Sequence, residues 1–321
     1  GSQIINIDTK TKEGKRFFQG IQKLLVFFFI FFEASIYVLM RGLEATPGYV
    51  GIVILQLCLG GLAILFMDEI STKWGFGSGV SLFIAAGVSR SIFISLFQFI
   101  GAQGGIEWVG KIPVLINSVI KGDTTGAMLA AVAIVVTILI FLMIVFMQAL
   151  KVEIPLSYDR LRGYGIKWPL AFFYTSVIPV ILVSALAANI QLFGSLLQNW
   201  LGYATVLGGF QDGIPISGFS YWINSVNALN AIITDSFQNV MFLQVLGHIL
   251  FYMIFSTLFA FFWVKTSGMD AYSQAKNIMA SGLTIPGFRK DERILESVLS
   301  RYVMPLTLMG GATIGLIASV S

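Results

Sequence analysis

The sequence has 321 residues, of which 56% are hydrophobic and 11% are charged, and its formal net charge is +4. Soluble domains carry charged side chains at about 25% of their positions, so this composition excludes an ordinary water-soluble globular protein. The chain has one cysteine, Cys58, and one histidine, His248. These counts exclude an intrachain disulfide and most metal sites. We therefore expect an integral membrane protein that holds no metal and no cofactor.

Seven apolar segments are long enough to cross a bilayer as helices. In chain order they are residues 24–40, 49–67, 78–100, 126–149, 170–190, 240–263 and 302–320. The segments between them are predicted to be loops. The sequence therefore predicts an all-α fold, a polytopic bundle of transmembrane helices.

Basic residues are distributed unevenly over the two sides that seven spans define. Sixteen of the 20 Lys and Arg residues fall on the side of the N-terminus and of residues 150–169 and 264–301, and three fall on the other side. Loops rich in Lys and Arg stay in the cytoplasm. We therefore predict a cytoplasmic N-terminus for this chain and two cytosolic loops, 150–169 and 264–301. Both loops are longer than a simple crossing needs, which indicates a binding role.

Residues 101–125 form the longest connection between neighbouring spans in the first half of the chain. The segment is rich in glycine, contains Trp108 and is poor in basic residues, which is typical of an external loop at the membrane surface. We predict that it is a hinge between two helical halves. The N-terminal half would then be residues 1–100, and the C-terminal half residues 126–321 with both cytosolic loops.

The sequence contains no recognisable catalytic motif, because HExxH, GxSxG and the P-loop lysine signature are all missing from it. The glycine cluster Gly75–Gly79 follows a membrane span rather than a strand and lacks a following Lys-Ser/Thr pair. A helix start with close backbone packing explains this cluster better than a phosphate loop does. His248 lies within a span without evident metal-ligand partners, which favours a hydrogen-bonded packing role. No enzymatic activity is predicted.

Polar residues inside membrane spans are costly and are functional candidates. Glu33 lies in the first span, Gln56 in the second, and Asn189 near the end of the predicted span 170–190. Each has a structural alternative. Glu33 and Gln56 could serve as hydrogen-bonding contacts between helices, and Asn189 as a C-terminal helix cap.

Six ordered stretches resemble one known family. They are FFQGIQKL at 17–24, GSGVSLFIAAGV at 77–88, SVIPVIL at 176–182, ANIQ at 188–191, GFRK at 287–290 and RYVMP at 301–305. Together they resemble the archaeal and eukaryotic-type branch of SecY, the channel subunit of the Sec protein translocon. The resemblance implies a clamshell of ten helices in two pseudo-symmetric halves. On that pattern the sequence corresponds to the region from just after the second helix to the ninth, without the first two helices, the plug and the tenth helix.

The resemblance implies roles for particular side chains of the membrane spans. Val80, Ile84 and Ile178 fall on positions of the ring of aliphatic side chains at the narrowest point of the family's pore. Glu33 and Asn189 fall on polar positions of the lateral gate, the seam through which signal peptides reach the lipid. In the cytosolic loops, the residues on ribosome-docking positions are Arg160, Arg162, Arg289 and Lys290.

The function implied by the resemblance is a passive protein-conducting channel that moves unfolded polypeptides across the membrane and releases apolar segments sideways into lipid. The implied partners are a SecE-like subunit, a small beta-type subunit, the ribosome, signal peptides and nascent chains. The implied location is an archaeal-type plasma membrane. The main alternative is a secondary transporter of a small solute, which would need a polar site near the midplane. A membrane-embedded enzyme is a third alternative.

Overall fold

The computed structural model describes residues 12–39, 43, 45–46, 48–75, 77, 79–101, 105, 107–158, 165–211, 213–236, 238–284 and 291–320. Helices dominate this part of the chain. They are α1 Lys12–Leu39, α2 Val50–Trp74, α3 Gly79–Phe97, α4 Lys111–Lys121, α5 Thr124–Ala149, α6 Ile178–Leu201, α7 Gly218–Ile223, α8 Ala228–Ile233, α9 Asn239–Thr266, α10 Ala271–Ala280 and α11 Glu292–Val320.

The strands of the described residues form two small antiparallel sheets. They are β1 Lys151–Tyr158, β2 Gly165–Ala171, β3 Gly209–Gln211, β4 Ile214–Ser217 and β5 Leu283–Thr284. The first sheet has the order β2-β1-β5, and β3 and β4 form the second. Both sheets lie between long helices in the sequence, so they belong to the connections and not to the spans.

Among the described residues, seven helices are long and apolar enough to cross a membrane, which confirms the predicted number of spans. Both boundaries of the predicted span 170–190 are shifted towards the C-terminus. Its helix, α6, begins at Ile178 and runs on to Leu201, because residues 165–171 pair with β1 as strand β2. Pro179, in the first turn of α6, is fully buried. Proline is favoured there because the first amide groups of a helix have no partner within it.

Both ranges predicted as cytosolic loops contain folded elements among their described residues. Strands β1 and β2 pair antiparallel, with Glu153 opposite Pro169 and Ile154 opposite Trp168. Residues 264–301 contain the end of α9, helix α10, strand β5 and the first turns of α11. One apolar core joins both ranges; it contains Ile154, Leu156, Leu170, Val264, Ala275, Ile278, Leu295, Leu299, Val303 and Leu306. Ile154 and Leu156 alternate with outward-facing residues on β1, as a half-buried strand requires.

The predicted hinge, residues 101–125, contains helix α4. The helix ends at Gly122, whose φ of 72° is left-handed and suits glycine. Asp123 then caps α5, since its side chain accepts a hydrogen bond from the Gly126 N–H at 3.1 Å. The segment is therefore a compact helix–turn–helix connection over its second half, and its role as a hinge stays a prediction.

The chain divides into two compact units. The first unit comprises residues 1–94 and 192–205, and the second comprises residues 95–191 and 206–321. In the first unit, α1 packs on α2. In the second unit, α9 packs along α11, and a second apolar cluster of Val183, Ala187, Ile223 and Phe251 joins α6, α7 and α9.

Candidate functional site

The start of α3 is built directly onto α2. The backbone N–H of Val80 donates to the Asp68 carboxylate at 2.9 Å, and the Ser71 hydroxyl donates to the Gly77 carbonyl at 3.1 Å. Gly79 is buried, and a Cβ atom on it would lie 2.7 Å from the Cα of Asp68. The glycine cluster is therefore a helix start with close backbone packing, as the sequence predicted.

Val80 and Ile84, two of the three predicted pore-ring residues, lie one turn apart on α3. They therefore share one face of that helix. Their side chains are 45% and 39% exposed, so neither belongs to an apolar core of the described structure. This exposure agrees with a face that borders a channel, and equally with one that borders lipid.

Ile178, the third predicted ring residue, is the first residue of α6 and is half-buried. It belongs to the second unit, whereas Val80 and Ile84 belong to the first. The ring of the three side chains therefore stays a prediction.

The two predicted gate residues lie in the interiors of long helices. Glu33 is exposed on α1, while Ala34 and Val38 on the same helix are buried. Asn189 is exposed on α6, which continues for twelve residues to Leu201. The alternative that Asn189 caps the end of its helix is therefore wrong. Glu33 and Asn189 belong to different units, so their pairing stays a prediction.

The four predicted docking residues, Arg160, Arg162, Arg289 and Lys290, lie outside the described residues. The structure does describe the elements from which their segments extend. Strands β1 and β5 are paired, with Ser157 opposite Thr284 and Tyr158 opposite Leu283. Both ranges predicted as cytosolic loops thus contribute strands to one sheet, which the sequence did not reveal because β5 has two residues.

The predicted packing role of His248 is confirmed. Its buried ring lies on α9 with Nδ1 2.7 Å from the Ile223 carbonyl oxygen at the end of α7. One turn earlier, the buried Gln244 side chain donates to the Tyr221 carbonyl at 2.8 Å. Both side chains satisfy carbonyls that the short helix α7 leaves unpaired. In the described part of the chain, no group of three or more His, Cys, Asp or Glu side chains is arranged to hold a metal.

Tyr174 is a polar contact of the second unit that sequence reasoning missed. Its hydroxyl donates to the Met269 carbonyl at 2.5 Å. Burial, with a further contribution from the negative charge of Asp270, raises the pKa of Tyr174 to about 12. The contact joins the segment before α6 to the segment after α9. No motif at either position indicates it, because the two residues lie 95 positions apart in the sequence.

The SecY family profile matches residues 2–321. This chain belongs to the SecY family. It is 39% identical over 328 residues to the protein translocase subunit SecY of Methanothermobacter thermautotrophicus, an alignment that covers 100% of this chain and 70% of that protein. It is 38% identical over 322 residues to the SecY of Methanocaldococcus jannaschii, again over 100% of this chain and 70% of the relative.

Solved structures agree with the SecY assignment. A protein-conducting channel matches with a TM-score of 0.80 at 37% identity, over 100% of this chain and 70% of that chain. Sec61 from the canine ribosome–channel complex of the endoplasmic reticulum matches with a TM-score of 0.76 at 35% identity, over 100% and 70%. These findings confirm the predicted helical membrane fold. They also support a multi-pass membrane channel and not the alternative of a solute transporter.

Proposed function

We propose that this chain is the channel subunit of a Sec translocon, which lets unfolded polypeptides cross the membrane and releases apolar segments sideways into lipid. The observation that carries the proposal is the match of the whole chain to protein translocase subunits at 39% identity. The subunit makes and breaks no bond. The direction of transport comes from translation or from another motor.

The seal of the channel is assigned to Val80, Ile84 and Ile178. Branched apolar side chains close around a passing polypeptide, and between substrates they exclude ions by keeping the constriction dry. Side chains of a seal have to remain outside the packed cores of the helices, and Val80 and Ile84 meet this condition.

The lateral gate is assigned to Glu33 and Asn189. A polar contact between helices in a bilayer contributes about 0.6 kcal/mol on average. A contact of that size holds a seam shut and still lets an apolar signal peptide open it. The position of Asn189 within α6, rather than at its end, supports this role because the side chain is not needed as a cap.

The ribosome, a SecE-like subunit and a small beta-type subunit are the proposed partners. One matched structure, at 35% identity, is a Sec61 in a ribosome–channel complex. Arg160, Arg162, Arg289 and Lys290 are the proposed docking residues, since arginine binds phosphate oxygens of RNA in a bidentate manner. Strands from both ranges pair in the β2-β1-β5 sheet. This shared sheet supports the assignment, because it joins the two segments that carry the proposed docking residues.

The proposed location is an archaeal-type plasma membrane, with the N-terminus of this chain and the β2-β1-β5 sheet on the cytoplasmic side. The uneven distribution of Lys and Arg supports this orientation. Single cysteines at Ser157 and Ser217, introduced after Cys58 is replaced, should label from opposite sides of the membrane. Labelling of both from the same side would overturn the orientation.

The function is tested with a photo-crosslinking probe in the complete channel complex. A probe at Ile84 should cross-link to a nascent chain arrested during translocation. Leu82 is the matched control, because it is 50% exposed on the same helix but two residues away, and therefore on nearly the opposite face. Equal cross-linking from both positions would contradict the ring. If the nascent chain were translocated without cross-linking to Ile84, its path would not pass this residue.

A further inference from the structure

The predicted seal depends on where the first turns of α3 are held. Val80 is the second residue of α3, and Ile84 lies one turn further along. The first amide groups of a helix have no partner within it, and helix ends fray unless they are capped. Two seal residues at such an end would move with it unless something outside α3 fixed the helix start.

Asp68 supplies that fixed point from another helix. Its carboxylate lies on α2, twelve residues before Val80, and accepts the Val80 N–H at 2.9 Å. An ordinary cap, such as Asp123 on α5, sits immediately before its own helix and travels with it. Asp68 instead ties the start of α3 to α2, and its negative charge faces the positive end of the α3 dipole.

The backbone packing at Gly79 acts in the same direction. A Cβ on Gly79 would lie 2.7 Å from the Asp68 Cα and 3.1 Å from the Ser71 Cβ, so no side chain fits between the two helices. Gly77, between the two helices, has a φ of +136°, a conformation that side chains rarely adopt. The start of α3 is therefore held by a hydrogen bond and by direct backbone contact with one residue of α2.

We propose that Asp68 is a positioning residue of the channel seal, which fixes the start of α3 on α2 and thereby sets where Val80 and Ile84 stand. This inference rests on the proposed role of Val80 and Ile84 in the seal. It adds to the seal a polar residue of α2 that acts through the backbone of α3.

The test measures ion leak through the idle, complete channel complex in planar bilayers. Asp68→Ala removes the acceptor and should raise the leak about fivefold, the factor that corresponds to the loss of a typical helix cap. Asp68→Asn keeps a side-chain oxygen at the same place and should stay near the parent leak. Asp123→Ala is the matched control, since it removes the same kind of cap from α5 and should leave the leak unchanged.

A second pair of variants tests the contact between the start of α3 and α2 without changing Asp68. Gly79→Ala forces the start of α3 away from α2 and should raise the leak as Asp68→Ala does. Gly87→Ala lies on the same helix, where a Cβ meets nothing within 4 Å, and should behave as the parent. This pair also decides the matter if Asp68→Ala does not assemble.

Ile84→Gly separates this inference from the function on which it rests. A leak from Ile84→Gly without a leak from Asp68→Ala and Gly79→Ala would overturn the positioning role and leave the seal intact. A tight channel in all three variants would overturn the seal itself. If Asp123→Ala leaked as much as Asp68→Ala, the leak would be a general effect of losing a helix cap. If Asp68→Asn leaked as much as Asp68→Ala, the hydrogen bond would not be what positions α3. Either result would overturn the inference.

Discussion

The α9–α11 pair of the second unit and the α1–α2 pair of the first unit are both built from long apolar helices, yet they are packed very differently. Ten residues of α11 are buried, whereas α2, all of whose residues the structure describes, has none. Nevertheless α2 is the more apolar helix of the two. In a bilayer, apolarity therefore does not indicate which helix forms a protein core.

Small residues account for part of this difference, at the contact between α9 and α11. On α11, a Cβ added to Gly315 would lie 2.6 Å from the Tyr252 carbonyl oxygen of α9, and one added to Gly311 would lie 2.9 Å from the Ala260 Cβ. Lipid tails are as apolar as leucine, so helices associate in membranes by close van der Waals packing, which small residues permit. The α1–α2 pair has one comparable approach, at Gly61, where the neighbour is the side chain of Ile30.

The largest expected effect comes from filling the α9–α11 contact. Gly315→Leu places a side chain against the backbone of Tyr252, which cannot move away without displacing α9. We expect this variant to lose about 3 kcal/mol of the free energy of unfolding, measured by SDS titration of the purified complete complex. Gly60→Leu on α2 is the control, because a Cβ there meets nothing within 4 Å, and it should unfold as the parent does. Equal losses from both variants would contradict the difference between the two pairs.

Hydropathy and charge were sufficient to predict the seven spans, because each needs little more than a run of apolar residues of the length of the bilayer. The folded connections could not be predicted in this way. Strands β1 and β2 contain Pro155 and Pro169, and prolines normally argue against a strand. The start of α6 was placed too early because β2, with its sequence GIKWPLA, merges into the apolar run that follows.

The candidate site was predictable only in part. The spacing of Val80 and Ile84 places them on one helix face, and the glycine cluster before them indicated a close helix start. The residue that closes this start, Asp68, was invisible because it lies on the preceding helix, and the sequence does not show how the turn between them folds. Roles for Ile178, Glu33 and Asn189 came from the family resemblance, since polar or branched side chains in spans have ordinary packing roles as well.

A smaller difference in the free energy of unfolding is expected between alanine variants of Gly311, at the α9–α11 contact, and Gly61, at the α1–α2 contact. Gly311→Ala meets both the Ala260 Cβ and the Thr257 backbone, at 2.9 and 3.1 Å, and should lose about 1 to 2 kcal/mol of the free energy of unfolding. Gly61→Ala meets the Cγ2 methyl of Ile30 at 2.8 Å and no backbone atom. A small shift of α1 relieves this single contact, and alanine favours a helix over glycine by about 1 kcal/mol. We therefore expect Gly61→Ala to be neutral or stabilising; a loss equal to that of Gly311→Ala would indicate a rigid α1–α2 contact.

The two units also differ in how they hold polar side chains, and alkaline pH should reveal this. Tyr174 of the second unit has a pKa of about 12, above its ordinary value of 10.0. Because the folded state holds the proton more tightly, the stabilising contribution of Tyr174 is complete below about pH 10 and is lost as the pH rises to about 12. The loss of stability over this window should be smaller in Tyr174→Phe, measured as the unfolding midpoint against pH. An identical pH profile in both proteins would contradict the buried hydrogen bond.

The smallest effect is expected at the ion pairs that join α1 to α2. Glu69 bonds Lys23 of α1 at 2.6 Å and Lys73 of its own helix at 2.5 Å, and both lysine side chains remain more than half exposed. Exposed ion pairs contribute little, because water and salt screen the attraction and long side chains lose freedom when they pair. Glu69→Gln should therefore lower the unfolding midpoint less than Gly311→Ala does, and the difference from the parent should shrink as salt is added.

Lys73→Met removes the pair within α2 and leaves the pair between helices, so it is the matched control. A large, salt-sensitive loss in Glu69→Gln but not in Lys73→Met would show that charge, and not packing, holds α1 to α2. The first unit would then use an ionic contact where the second unit uses small residues.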